Sequence, residues 1–272
     1  MRYFLFPMSV VAFFVASACG QAPSSAAEST DAEPPQMAAA DQRDSFPYDY
    51  GIDYLTGHFD PAQHPDFVAV DGQYTDGDPY FLHKDTYAAF QRMHAAALED
   101  GVRLIIISAT RNFDRQKLIW EAKWRGERLL EGREKAPEAY PDPAERALAI
   151  LRYSSMPGTS RHHWGTDMDL NDLTNEYFDE GEGKAIYGWL TAHAAEYGFC
   201  QPYSPKGEDR PDGYNEERWH WSYLPIARPL TDMARAKLQN SDISGFEGAE
   251  TAGSIDVVRK YVLGVNPACL SE

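Results

Sequence analysis

Two short stretches of the chain concentrate side chains that can bind a cation and move a proton. The first, 160–169 (SRHHWGTDMD), offers His162, His163, Asp167 and Asp169. The second, 217–220 (ERWH), sets Glu217 three residues before His220. A catalytic zinc takes three protein ligands from His, Asp or Glu and keeps one position open for water. The cation lowers the pKa of such a water to about 7, and a neighbouring Glu can then accept its proton. That combination hydrolyses an amide without a nucleophilic side chain. Residue types alone leave two other readings open: a polar surface loop for the first stretch and a core strand for the second.

The elements that must carry these residues are short. Residues 102–108 (VRLIIIS) form a β-branched run expected to be a buried strand, and 166–170, 199–203 and 218–223 are expected strands. In 86–100, apolar residues at 87, 90, 93, 97 and 98 have helical spacing, with Asp85 able to cap and Gly101 to terminate. Residues 114–126, 143–153, 185–197 and 229–239 also read as helices; Pro143 suits a first helical position after Asp142. Residues 240–251 are polar and Gly-containing and read as loose, and 254–263 as a last helix docking the C-terminus. Helices and strands alternate without a regular βαβ period, which gives an α+β class: a small, mainly antiparallel sheet carrying the metal site, flanked by helices.

The N-terminus reads as an address. Residues 1–18 hold Arg2 and an apolar run too short to span a bilayer, which needs roughly 20 residues. Small residues precede Cys19, the arrangement of a bacterial lipoprotein signal, so Cys19 is the expected lipidation site and membrane anchor. In a Gram-negative cell, Gln at position 21, rather than Asp, favours the outer membrane, facing the periplasm; in a Gram-positive cell the same anchor gives the cell envelope. Residues 19–45 are Ala-, Ser-, Pro- and acid-rich, a tether with little to bury. The folded domain is expected over 46–240, with 241–272 as an extension packing on it. Net charge is −17 and no basic stretch appears, which argues against a nucleic-acid partner. With Cys19 lipidated, Cys200 and Cys269 remain, and in an exported protein they are expected to pair.

The ordered pattern Ser160-x-His162-x6-Asp169, then Glu217-x-x-His220 with Trp219 before the histidine, resembles the VanY-type D-alanyl-D-alanine carboxypeptidases. These belong to the zinc peptidase group that includes lysostaphin-type enzymes and the hedgehog fold. Upstream, Ser108-Ala109-Thr110-Arg111 followed by Gln116 resembles the family's strand-to-loop arginine and its glutamine five residues on. The resemblance covers roughly residues 50–235. It implies that His162, Asp169 and His220 bind Zn2+ and that Glu217 is the general base. It implies that Arg111 holds the scissile carbonyl oxygen or a substrate carboxylate, and that Ser160 and Gln116 help orient a peptidoglycan stem peptide. Asp167 departs from the family, which usually has Ala there. On a strand it faces the same way as Asp169, so it either orients a ligand or competes as one. His163 is expected to pack or support rather than ligate. An L,D-carboxypeptidase, a cell-wall endopeptidase and a non-catalytic zinc-stabilised wall-binding lipoprotein remain alternatives at this level.

Overall fold

The computed structural model describes Tyr48 and residues 50–270, all within one compact unit, 44–272. The expected signal, the lipidation site Cys19 and the tether lie outside the described residues. In chain order the elements are α1 (Ile52–Leu55), β1 (Phe67–Ala69), β2 (Phe81–His83), α2 (Lys84–Glu99), β3 (Ile106–Ser108), α3 (Phe113–Trp124), α4 (Ala136–Ala139), α5 (Pro143–Ile150), β4 (Asp167–Leu170), α6 (Gly181–His193), β5 (Phe199–Cys200), β6 (His220–Tyr223), α7 (Leu224–Lys237) and α8 (Ala252–Ile255). Mixed helix with two small antiparallel sheets is the class expected from the sequence.

The larger sheet has the order β3-β4-β6-β5, antiparallel throughout. Its centre is β4 against β6, where Asp167 pairs with Ser222, Met168 with Trp221 and Asp169 with His220. Side chains alternate faces along a strand. Met168, Leu170 and Trp221 therefore go to one face, into a core with Phe90 and Met93 of α2 and Ile186 and Leu190 of α6. Asp167, Asp169, His220 and Ser222 go to the other. A second core lies on α3, α5 and α7, with Trp120, Ile150 and Leu230 among its members. The two-stranded sheet braces the polar side: the Thr110 N–H donates to the Phe81 carbonyl (3.1 Å) and the His83 N–H to the Gly165 carbonyl (3.1 Å).

Several elements differ from expectation. The strand expected over 102–108 is laddered only at Ile106–Ser108, because β3 is a sheet edge with an irregular register and residues before it find no strand partner. Helix α6 begins at Gly181, four residues early, and one turn of 3-10 helix, Ala194–Tyr197, completes it. Gly183 allows this start: a Cβ there would sit 2.0 Å from the Tyr177 carbonyl oxygen. Helix α7 begins at Leu224 rather than 229, with Pro229 inside it. Pro229 forfeits only one backbone bond, to Pro225 in the first turn. Residues 240–251 are not loose. Ile243 and Phe246 are buried, Phe246 packs edge-on against Trp120, and the Trp120 Nε1–H donates to the Glu247 carbonyl (2.8 Å). The expected last helix is broken: α8 ends at Asp256, whose φ of +60° turns the chain, and Val258–Val262 forms a π-helical turn.

The C-terminal segment contributes Ile255, Val258, Tyr261, Val262 and Val265 to the second core. A disulfide joins Cys269 to Cys200, with Cα atoms 5.7 Å apart and a sequence separation of 69. Asn266 adds its N–H to the Pro202 carbonyl (2.8 Å). Closing a loop of that length is worth about 4 kcal/mol in chain entropy, an upper figure. The double variant Cys200→Ser/Cys269→Ser is therefore expected to lose about 2–4 kcal/mol in urea unfolding, as a lower midpoint with a somewhat steeper slope, because the unfolded chain is no longer cross-linked. An unchanged midpoint would mean that apolar packing alone holds the tail.

Candidate metal centre

His162, Asp169 and His220 converge, with potential ligand atoms within 4.8 Å of one another, all three side chains being buried. Asp169 and His220 meet because they are directly opposed across β4 and β6, and Asp169 Oδ1 lies 3.3 Å from His220 Nδ1. His162 arrives from a turn of 3-10 helix, Arg161–Trp164, which ends at Gly165 in the left-handed region with φ +70°. A Cβ on Gly165 would lie 2.4 Å from the Phe67 ring and 2.9 Å from the His83 nitrogen, so glycine lets this turn approach β1 and β2. The His162 Nε2 is 3.4 Å from Asp169 Oδ1.

Hydrogen bonds fix which ring nitrogen of each histidine is available. His162 Nδ1–H donates to the Ala109 carbonyl (2.8 Å), leaving Nε2 as the lone-pair nitrogen. His220 Nε2–H donates to Asp167 Oδ2 (2.8 Å), which turns Nδ1 toward Asp169. His162 Nε2 and Asp169 Oδ1 are buried with no hydrogen-bond partner. Two imidazole nitrogens and one carboxylate oxygen, two of them orphaned and buried, are a donor set that fits a divalent cation such as Zn2+.

Asp167 has a different role. Its Oδ1 accepts from Ser222 Oγ (2.8 Å) and Thr166 Oγ1 (2.6 Å), and its Oδ2 from Arg161 Nε (3.1 Å) and His220 Nε2. A carboxylate has about four lone-pair sites, and all are used. Asp167 thus orients His220 and has no capacity left to compete as a ligand. Burial opposes its ionisation, but the Arg161 guanidinium and His220 hold the carboxyl well below its usual range. Asp169 is likewise held low against burial, by His162, His220 and Arg111.

Glu217 is buried, and its Oε2 stands 3.1 Å from His220 Nδ1. Burial raises its carboxyl above the ordinary value, and the hydrogen bond from His220 only partly opposes this. Burial alone would keep His220 neutral. Hydrogen bonds to Asp167 and Glu217 reverse that and raise the imidazole to about 9. A cation and a proton would compete for the same Nδ1 lone pair. The Glu217 backbone is pinned by its N–H to the Tyr203 carbonyl (2.9 Å) and by Gln201 Nε2 to its own carbonyl (3.1 Å).

Arg111 lies on the same cavity of about 970 Å³ as the three candidate ligands and Glu217. Its NH1 reaches Ser108 Oγ (3.3 Å), and its buried Nε has no partner. The Asn112 side chain caps α3 at the Arg115 N–H (3.0 Å), so the arginine is held between a strand end and a helix start. Gln116 lines the cavity, with Nε2 donating to the Ser155 carbonyl (2.8 Å) and Oε1 unpartnered. Ser160 is buried with its hydroxyl unpartnered and is not among the described residues lining the cavity. His163 supports the arginine loop: Nδ1–H donates to the Arg111 carbonyl (2.5 Å) and Nε2 accepts the Gly158 N–H (3.1 Å).

Sequence reasoning assigned nothing to Arg161, Ser222 and Thr231, which complete the shell around Asp167. Arg161 NH1 donates to Thr231 Oγ1 and NH2 to Ser222 Oγ, both at 2.9 Å. The available sign was parity: 167 and 169 share a strand face, and Arg161 lies in the same motif. Tyr203 belongs both to the core and to the cavity wall, stacking edge-on against His220 with centroids 4.7 Å apart.

The VanY family model, described as D-alanyl-D-alanine carboxypeptidase, matches residues 80–226, more than half of the chain. YodJ of Bacillus subtilis (strain 168) is 29% identical over 175 residues, 62% of this chain and 56% of its own. A D-alanyl-D-alanine carboxypeptidase of Enterococcus faecalis is 28% identical over 137 residues, 50% of this chain and 46% of its own. The chain thus spans about half the length of the curated relatives it matches. Among solved structures, the LdcB LD-carboxypeptidase aligns with a TM-score of 0.46 and 21% identity, over 77% of this chain and 81% of that one.

Outer partners of metal ligands typically change affinity 10–100-fold. Asp167→Asn keeps the shape but weakens the acceptor for His220, and is expected to raise the zinc dissociation constant by about that factor in competition with a chromogenic chelator. Wild-type affinity in the folded variant would remove Asp167 from the centre.

Proposed function

Because the chain belongs to the VanY D-alanyl-D-alanine carboxypeptidase family, we propose that it is a zinc-dependent carboxypeptidase that removes the terminal D-alanine from peptidoglycan stem peptides. The observation that carries this reading is the placement of the Glu217 carboxylate 3.1 Å from the nitrogen that His220 presents to Asp169 and His162. A structural cation site has no use for such a group, which favours hydrolysis over passive wall binding.

In this reading His162, Asp169 and His220 would hold Zn2+. The ion supplies Lewis acidity toward a carbonyl oxygen and lowers the pKa of water. Glu217 takes the proton of the attacking water and returns it to the leaving amine; a carboxyl raised by burial is matched to both transfers. Arg111, with unspent donors on the cavity, holds the carbonyl oxygen as it gains charge or the terminal carboxylate. Gln116 Oε1 accepts a peptide N–H. Ser160 orients the peptide only if its hydroxyl turns toward the cavity. We propose an envelope location, with Cys19 acylated and the tether leading to the domain. The Cys200–Cys269 bridge supports an oxidising compartment.

The test is incubation of the zinc-loaded protein with a pentapeptide ending in D-Ala-D-Ala, a tetrapeptide and a cross-linked dimer, followed by mass analysis. Loss of a single alanine from the pentapeptide alone supports the proposal. Cleavage of the tetrapeptide or the dimer instead would make it an L,D-carboxypeptidase or an endopeptidase. In Glu217→Gln, zinc content is expected to stay while turnover falls about 10²–10⁴-fold; near-normal turnover would remove Glu217 as base. Arg111→Lys is expected to lose most activity, since an ammonium cannot reproduce a two-pronged contact. Unchanged kcat and KM would remove Arg111 from the reaction.

A further inference from the structure

The protein carries a net charge of −17, yet its catalytic cavity gathers Arg111, Lys123, Arg128, Arg133 and Arg152. Two of the five are accounted for. Arg152 pairs with Glu131 (3.4 Å) and Glu134 (3.6 Å), and Arg111 belongs to the reacting end. Lys123 is different. It is half-buried in the wall, and its Nζ donates to the buried Ser154 Oγ (2.5 Å). Among the described residues it forms no ion pair. An ammonium has three donors, so two are unspent. Glu131 and Glu217 of the same cavity act on it only at a distance, and a part-buried amine with no carboxylate in direct contact is unfavourable unless a ligand supplies one.

Position gives the scale. Lys123 follows Gln116 by seven residues on α3, two helical turns along one face, with Ile119 between them on the same cavity. Seven residues of helix rise about 10 Å. An extended peptide lying along this face advances about 3.3 Å per residue, so the amine stands about three residues of substrate beyond the peptide group that Gln116 would receive.

We propose that Lys123 is a substrate-binding residue that receives a second carboxylate of the peptide, about three residues beyond the peptide group at Gln116. The preferred substrate is then an acidic peptide, not any peptide with the right terminus. The proposal rests on the peptidase reading above. Burial, with Arg128 and Arg111, lowers the Lys123 amine to about 8, and a bound carboxylate would raise it again.

The test uses two pentapeptides ending in D-Ala-D-Ala, identical except for glutamate or glutamine at the second residue. Each is titrated calorimetrically into zinc-loaded Glu217→Gln protein, with Lys123 intact or changed to Met. With Lys123, the glutamate peptide is expected to bind about 10–100-fold tighter. Lys123→Met should bring the two within about threefold by weakening only the glutamate peptide, and Lys123→Arg should keep most of the preference. Equal weakening of both peptides by Lys123→Met, no preference with Lys123 intact, or failure of both to bind would overturn the proposal. A measurement without the variant guards against misfolding. At pH 8, in buffers of different ionisation enthalpy, the glutamate peptide should take up up to about half a proton more than the glutamine peptide; equal uptake overturns it. If the wild type shortens neither peptide, the peptidase reading falls, while the binding ratio still decides the role of Lys123.

Discussion

The centre depends on one pairing, Asp169 opposite His220 across two antiparallel strands. Directly opposed residues hold their Cβ atoms about 4.5–5.5 Å apart on one face, close enough for a carboxylate and an imidazole to share a cation. The same register sets Met168 against Trp221 on the other face, in the apolar core. A slip of one residue would drive two aspartates into that core and bring Met168 to the cavity. An unpaired charge buried there costs several kcal/mol. Core and metal centre therefore select the same register.

Around that pairing the protein buries an unusual density of charge, and the arrangement is tolerable because it is saturated. Arg161 is only 2% exposed, yet it has Asp167, Thr231 and Ser222 as acceptors and lies over the Trp164 ring at 4.6 Å. Asp167 spends every lone pair on neighbours. In the cluster of His162, Asp167, Asp169, His220 and Arg161, the buried atoms left unspent among the described residues are the two aimed inward, His162 Nε2 and Asp169 Oδ1. Saturation of the outer ring gives the inner atoms one geometry, and it limits reorganisation when a cation or substrate arrives.

Much of this was legible in the sequence, for physical reasons. Ligand types at fixed spacing survive as a linear pattern because the β4 strand, the turn before it and the 217–220 segment are local structures. Asp142 followed by Pro143 marked the start of α5, where Asp142 Oδ1 does accept the Ala144 and Glu145 N–H groups. Tertiary contacts were not legible. Residues 240–251 look polar, but their few apolar side chains, Ile243 and Phe246, are buried, and the backbone of 245 and 247 accepts hydrogen bonds from Lys117 and Trp120. Composition cannot report a carbonyl that serves as an acceptor for a distant side chain. The role of Asp167 does not follow from the sequence for a similar reason. Parity gave its face, but only the position of the His220 ring shows which nitrogen it serves.

The C-terminal segment bears on the centre through a chain of rings. Tyr261 packs against Tyr214 (centroids 5.2 Å), Tyr214 against Tyr203 (4.9 Å) and Tyr203 against His220 (4.7 Å). Each contact is edge-on or nearly so, an arrangement that the ring quadrupole favours and that restricts rotation of the next ring. His220 is thus held from two sides, by Asp167 at its far nitrogen and by Tyr203 against its face. The segment that supplies Tyr261 is anchored beyond it by Asn266 and the Cys200–Cys269 bridge. The bridge also ends at β5, which pairs directly with β6, the strand that carries His220. The extension and the sheet consequently brace the same imidazole by separate routes, one through packed rings and one through backbone. A candidate metal ligand that must stay within about 0.5 Å of its place benefits from both.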